Sequence, residues 1–227
     1  MSLRDLCGVV ALMAFTMAGC AHTTVTVQPE RVALVPDDLP PPSVILVRKL
    51  SVNLTEVTGD QGFFGKAVDA IDGKTPSETA AHLTQEVADD FTNELVYQIN
   101  ALGLPAQRAT RDTSVPLNAL VIVGFLTDVD AGNETKRLVI GMGTGESKID
   151  ARVLLFRPTA GGDYRTLLEF STHADSGEAT ADTVSGAKVY TTAMGAMAAR
   201  SADKAAAYLS RFFSDHGWIA ADKVKPL

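Results

Sequence analysis

Two serines in this chain have a lysine three residues on, in Ser185-Gly186-Ala187-Lys188 and Ser201-Ala202-Asp203-Lys204. At that spacing a lysine amine can take the proton of an acylating serine hydroxyl. The companion S-D-N and K-T-G motifs are absent. Lys74-Thr75-Pro76 does not replace the second, because proline removes the backbone freedom and the N–H donor that glycine leaves. With 12 serines and 9 lysines in the chain, chance alone supplies about 0.5 such matches. A second candidate is Asp128-Val129-Asp130-Ala131-Gly132-Asn133-Glu134, where carboxylates at alternating positions follow an apolar run, as in loops that gather oxygens around calcium. Gly132 stands where a ligand is needed and Val139 where the bidentate glutamate belongs, so the segment reads as a solvated turn with no metal. Gly141-Met142-Gly143-Thr144-Gly145 has the glycines of a phosphate loop, but a strand follows it and not the helix N-terminus that would hold the phosphate. The histidines His22, His82, His173 and His216 are scattered, with no H-E-x-x-H and no G-x-S-x-G, and surface or capping roles suffice for them.

No complete catalytic set emerges, so no catalytic residue, metal ligand or cofactor is assigned. The composition narrows the partners further. The 227 residues carry 20 Lys+Arg against 27 Asp+Glu, a net charge of -7, and no run of basic residues exceeds two. A phosphate backbone needs a basic footprint, so nucleic acid is excluded as a partner. With 46% hydrophobic residues the chain can bury a sizeable core as one domain.

Residues 6–18 form an apolar segment of the length of a secretory h-region, behind a short polar lead with Arg4. The segment ends Met17-Ala18-Gly19-Cys20, which resembles the lipobox of bacterial lipoproteins. The resemblance implies cleavage after residue 19, a diacylglyceryl group on the Cys20 thiol and an acyl chain on its new amino group. Cys7 leaves with the signal peptide, so no disulfide framework remains. Ala21 rather than Asp follows Cys20, and the family pattern then implies the periplasmic face of the outer membrane. Arg4 and Asp5 cancel, so cleavage leaves the net charge unchanged. The membrane contact of so acidic a chain is the lipid and not a basic patch.

The remaining segments must position any binding surface. Residues 20–42, closing Asp37-Asp38-Leu39-Pro40-Pro41-Pro42, read as an extended stalk. Val25, Val27, Val32, Leu34 and Val35 leave open that part of it lies along the body as an edge strand. A folded domain over residues 43–217 begins with the apolar run Val44-Ile45-Leu46-Val47 and continues with Leu50, Val52 and Leu54. Phe64, Ala67, Val68 and Ile71 predict a short helix or turn between glycines. Phe63-Phe64 beside it is the candidate partner-binding tip, with folding back over the sheet as the alternative.

Thr75-Pro76-Ser77-Glu78 is a capping box with proline at the first helical position. Leu83, Val87, Phe91, Leu95, Ile99 and Leu102 make one stripe, with Glu86, Asp89, Asp90 and Glu94 largely off it, and Gly103 ends the helix. Strands are predicted over residues 117–129, 145–156 and 164–174, the last two joined through Gly161-Gly162 as antiparallel neighbours. From about residue 182 the chain is rich in alanine. Met194, Met197, Ala205, Leu209, Phe212 and Phe213 recur at helical spacing before Gly217, and residues 218–227 read as a polar tail. The small residues of that helix allow tight packing on the sheet or a helix–helix interface between copies. The fold class is α+β, a mostly antiparallel sheet with two long helices on one face.

The run from Val123-Gly124-Phe125-Leu126 through Asp128, Gly132, Lys136-Arg137 and Ile140-Gly141-Met142-Gly143-Thr144-Gly145 to Val153 resembles the bacterial lipoprotein family known as domain of unknown function 4410. The resemblance implies an outer-membrane lipoprotein and brings no activity or site residues with it. The expectation is therefore a lipid-anchored, periplasm-facing, non-catalytic protein that binds an envelope protein or a second copy of itself. The alternative is a cell-wall or glycan hydrolase using Asp128, Asp130 and Glu134, or a serine near Lys188.

Overall fold

The computed structural model describes residues 23–32, 39–52, 76–130, 147–176, 183–184, 189–190 and 192–227. Among the described residues, nine strands and two long helices follow in the order β1 (Thr23–Val32), β2 (Val44–Arg48), β3 (Ser51–Val52), α1 (Pro76–Ala101), β4 (Ala106–Ala109), β5 (Ala119–Asp130), β6 (Lys148–Pro158), β7 (Tyr164–Ser176), β8 (Thr183–Val184), β9 (Val189–Tyr190) and α2 (Ala193–Asp215), with a short 3-10 turn at Ala221–Lys223. The main sheet runs β1-β7-β6-β5-β2-β4, and β3 adds to β5 beyond the end of β2. β8 and β9 pair separately. This is an α+β fold with a mixed sheet. It is antiparallel through β1, β7, β6 and β5 and parallel where β2 and β3 meet β5 and β2 meets β4. The parallel β2–β4 pair follows from connectivity: α1 lies between the two strands and carries the chain back, so that β4 runs the same way as β2.

The period of two along β6 places Ile149, Ala151, Val153 and Leu155 against the helices, all at most 1% exposed. Ile45, Val47, Leu120, Ile122, Leu168 and Phe170 join them in one core with Val87, Phe91, Leu95 and Ile99 of α1 and Met197, Ala202, Leu209 and Phe213 of α2. The stripe expected of α1 is thus the buried one. Asp90 and Glu94 are buried too, because α2 and the C-terminal residues close over that flank of α1. Glu94 accepts from Gln98 at 2.6 Å, and Gln98 in turn accepts from Lys225 at 2.7 Å.

Two glycines are dictated by their surroundings. A Cβ on Gly124 of β5 would lie 2.7 Å from Leu50 Cγ. Leu50 reaches there because the register against β5 shifts by one residue between Val47↔Ile122 and Ser51↔Phe125, an extra residue that turns Leu50 inward. Gly217, at φ 68°, follows α2. Trp218 N–H bonds Phe213 O and Gly217 N–H bonds Ser214 O, each at 2.9 Å, and the Trp218 and Phe213 rings stack at 5.9 Å. This is a Schellman end with its apolar clasp, and a left-handed residue is required at Gly217.

Two segments differ from the simple expectation. Within the stretch read as a stalk, residues 23–32 pair with β7 over the whole of β1, so the edge-strand alternative is the one adopted there. Residues 218–227, read as a polar tail, are bound to the body: Trp218 Nε1 donates to Leu39 O at 3.0 Å, Lys225 N–H to Ser210 at 3.0 Å, and Lys225 Nζ pairs with Asp203. Ile219 is buried. Apolar and hydrogen-bonding groups among otherwise polar residues dock a terminus that charge alone would leave in solvent.

Candidate functional site

The residues that point away from the helices form the second face of the sheet. Its lower half is apolar, where Leu46, Ala109 and Val121 cluster with Val44, Val115, Val123 and Phe156. Its upper half, toward the rim where β5 ends and β6 begins, is polar. Antiparallel register lines up Asp128, Asp150 and His173 across β5, β6 and β7. The row nearer the middle of the sheet holds Phe125, Arg152 and Ser171.

His173 is held by both ring nitrogens. Nδ1 meets Asp150 Oδ1 in a close ion pair across the strands, and Nε2 lies 2.9 Å from Asp175 Oδ2 on its own strand. The Asp150 hydrogen bond, with the negative charges of Asp150 and Asp175, outweighs partial burial and holds the imidazole above its ordinary value. Beside this group Arg152 pairs with Glu169 and, at 2.8 Å, with Glu30 of β1. Ser171 donates to Glu30. The polar half of the face thus carries two neighbouring charged groups, of which the one around Arg152 and Glu30 ties the edge strand to β7 and β6.

A second charged group lies over the β2–β4 side, where Asp89 of α1 takes Lys49 and Arg108 at 2.6 Å each. Burial pushes the Asp89 carboxyl up, but the hydrogen bonds and charges of Lys49 and Arg108 prevail and hold it below its ordinary value.

This geometry sorts the sequence candidates. Ser201 is fully buried between α2 and the sheet and shares a 2.8 Å hydrogen bond with Thr172. It has no route to a substrate, so Ser201 and Lys204 do not form an acylating pair. Asp128 lies in the polar row, half-buried. Cys20, Phe63, Phe64, Glu134, Gly141 to Gly145, Ser185 and Lys188 lie outside the described residues, as does the side chain of Asp130. His216 caps α2, its Nδ1 lying 2.8 Å from Phe212 O.

The His173 cluster is the arrangement the sequence reading missed. A signal was present, since His173 and Asp175 are two apart on a strand and Asp150 alternates outward on its neighbour. What was not legible was the register that sets them side by side. With both nitrogens occupied by carboxylates, His173 can hold a proton and join strands, but it offers no free nitrogen to a substrate hydroxyl. Among the described residues no three His, Cys, Asp or Glu side chains are grouped to hold a metal ion, and no helix is long and apolar enough to cross a membrane.

Residues 45–198, more than half of the chain, match the family model described as Domain of unknown function (DUF4410). The chain belongs to this family. The DUF4410 match takes in β2 through the start of α2 and so contains the whole of the His173 cluster. Curated proteins give no significant match. Solved structures similar to the chain include PelC from Paraburkholderia phytofirmans and a point variant of it, both described as dodecamers. Each is 10% identical to the chain and covers 80% of it, with 94% and 95% of the PelC chains covered and TM-scores of 0.41 and 0.37. At such scores the likeness bears on no detail of site or assembly.

Proposed function

We propose that the protein is a non-catalytic binding or assembly component of the cell envelope, fixed by lipid on Cys20 to the periplasmic face of the outer membrane. The observation that carries this reading is the segment Met17-Ala18-Gly19-Cys20 behind its apolar run. Two or three acyl chains, at about 0.8 kcal/mol per buried methylene, hold a protein at a bilayer for good where one chain does not. The geometry of the DUF4410 body supports the non-catalytic half. Its most elaborate polar cluster spends both nitrogens of His173 on carboxylates, and the serine of one of its Ser-Lys pairs, Ser201, is buried. The partner is an envelope protein or a second copy of the chain, with Phe63-Phe64 as the candidate contact; the small residues of α2, Ala198, Ala202, Ala205 and Ala206 among them, are used up in packing within the domain.

In-cell crosslinking of the lipidated protein, followed by mass spectrometry, tests the binding role. A discrete adduct or a self-crosslinked ladder is expected, and recovery of the monomer alone contradicts it. Purified protein is expected to leave peptidoglycan uncleared in a gel overlay. Clearing that Asp128→Asn or Glu134→Gln abolishes would establish the hydrolase instead.

A further inference from the structure

The register of the sheet sets the end at which β1 begins. Thr23, the first residue of β1, lies opposite Ser176, the last of β7, and Thr24 lies opposite Asp175. Asp175 lies opposite Lys148, the first residue of β6, which faces Asp130, the last of β5. β1 therefore enters the sheet at its upper rim and runs downward. Only Ala21 and His22 separate Cys20 from Thr23, and three residue steps reach no farther than about 11 Å in any conformation.

The opposite end is far away. β6 runs from Lys148 at the rim to Pro158, and ten steps at about 3.3 Å put roughly 33 Å between its ends. At that lower end Arg157 donates to Pro40 O, and Trp218 donates to the neighbouring Leu39 O. Trp218 is the single tryptophan of the chain.

The geometry points to an oriented attachment: the end of the sheet at Thr23, Asp130, Lys148 and Ser176 lies toward the phospholipid surface, and the end bearing Trp218 faces the periplasm. The inference rests on the acylation of Cys20 in the proposed function. It adds that the tether at the anchor is short, since residues 23–32 of the stretch that composition marks as a stalk are paired with β7. The charged cluster of Asp128, Asp150, His173 and Asp175 then sits on the membrane side of the open face, and the apolar patch around Val121 and Phe156 on the side away from it.

Tryptophan quenching reads this directly. The full lipidated protein, purified from its own envelope, is reconstituted into phosphatidylcholine vesicles with and without a headgroup nitroxide phosphatidylcholine. Wild-type Trp218 emission is expected to be equal in the two. Lys148→Trp, a change at an exposed strand position that accepts aromatic residues, is expected to add emission that the nitroxide removes. Inserting ten Gly and Ser residues after Cys20 in that variant is expected to restore part of it, because the tether then reaches farther.

Quenching of Trp218 in the wild type, or an unquenched indole in Lys148→Trp, overturns the orientation. The mass of the N-terminal peptide from the same preparation separates the two levels: an unacylated Cys20 overturns the proposed attachment itself, whereas an acylated Cys20 with the wrong quenching pattern overturns only the orientation.

Discussion

When protonated, His173 offsets part of the negative charge that the carboxylates beside it gather on β6 and β7. Asp128 and Asp150 face each other, and Asp175 closes the other side of the ring. Because the folded-state value is raised above 6.5, the histidine's contribution to stability is complete below the unfolded-state value and is lost as pH rises through the folded-state value. The groups facing it are Asp150 and, diagonally, Lys148 and Arg152 on β6, the uncharged Thr26 on β1 and Asp175 on its own strand. Thermal unfolding of wild type and His173→Gln across pH 5 to 9 checks the sign. The wild type is expected to melt higher at the acid end of that range, with the two curves converging toward the alkaline end. A gap that widened with pH would mean that the imidazole is held neutral.

At the scale of elements, the join between β2 and β3 depends on a side chain filling the space a missing Cβ leaves. Gly124→Ala puts a methyl group against Leu50, and overpacking of this kind costs about 1–3 kcal/mol. In a Leu50→Ala background the same change is expected to cost clearly less by urea unfolding, a coupling that a double-mutant cycle isolates. Additive losses would show that the contact is not what selects glycine. The long elements were legible because their signals are local. The stripe from Leu83 to Leu102 and the alternation from Ile149 to Leu155 each repeat one period often enough to name both the element and its buried face. β4 and β1 were not so legible. Ala106-Gln107-Arg108-Ala109 carries no alternation, and its pairing comes from the return of α1 beside β2. In β1, polar residues alternate with valines in a stretch whose prolines point to a spacer, and β7 supplies the hydrogen bonds that decide the matter. The His173 cluster is hidden for another reason: its members come from adjacent strands joined by residues 159–163, and the register that sets Asp150 opposite His173 includes a shift between Leu155 and Phe156 that no local period reveals.

As a whole molecule, the domain is two-sided. Two helices cover one face of the sheet, and the other presents a charged upper half and an apolar lower half among the described residues. A body of this kind at a membrane recognises partners by which surfaces its anchor leaves facing outward, so the attachment of Cys20 is the claim on which the functional account depends. Growth of wild-type and Cys20→Ala strains with an alkyne fatty acid, followed by separation of outer membrane from periplasm, measures it in one experiment. The wild type is expected to take up the label and fractionate with the outer membrane, while Cys20→Ala takes up none and leaves that fraction. Wild-type protein that takes up no label, or Cys20→Ala protein that stays in the outer membrane with unchanged mobility, would contradict it.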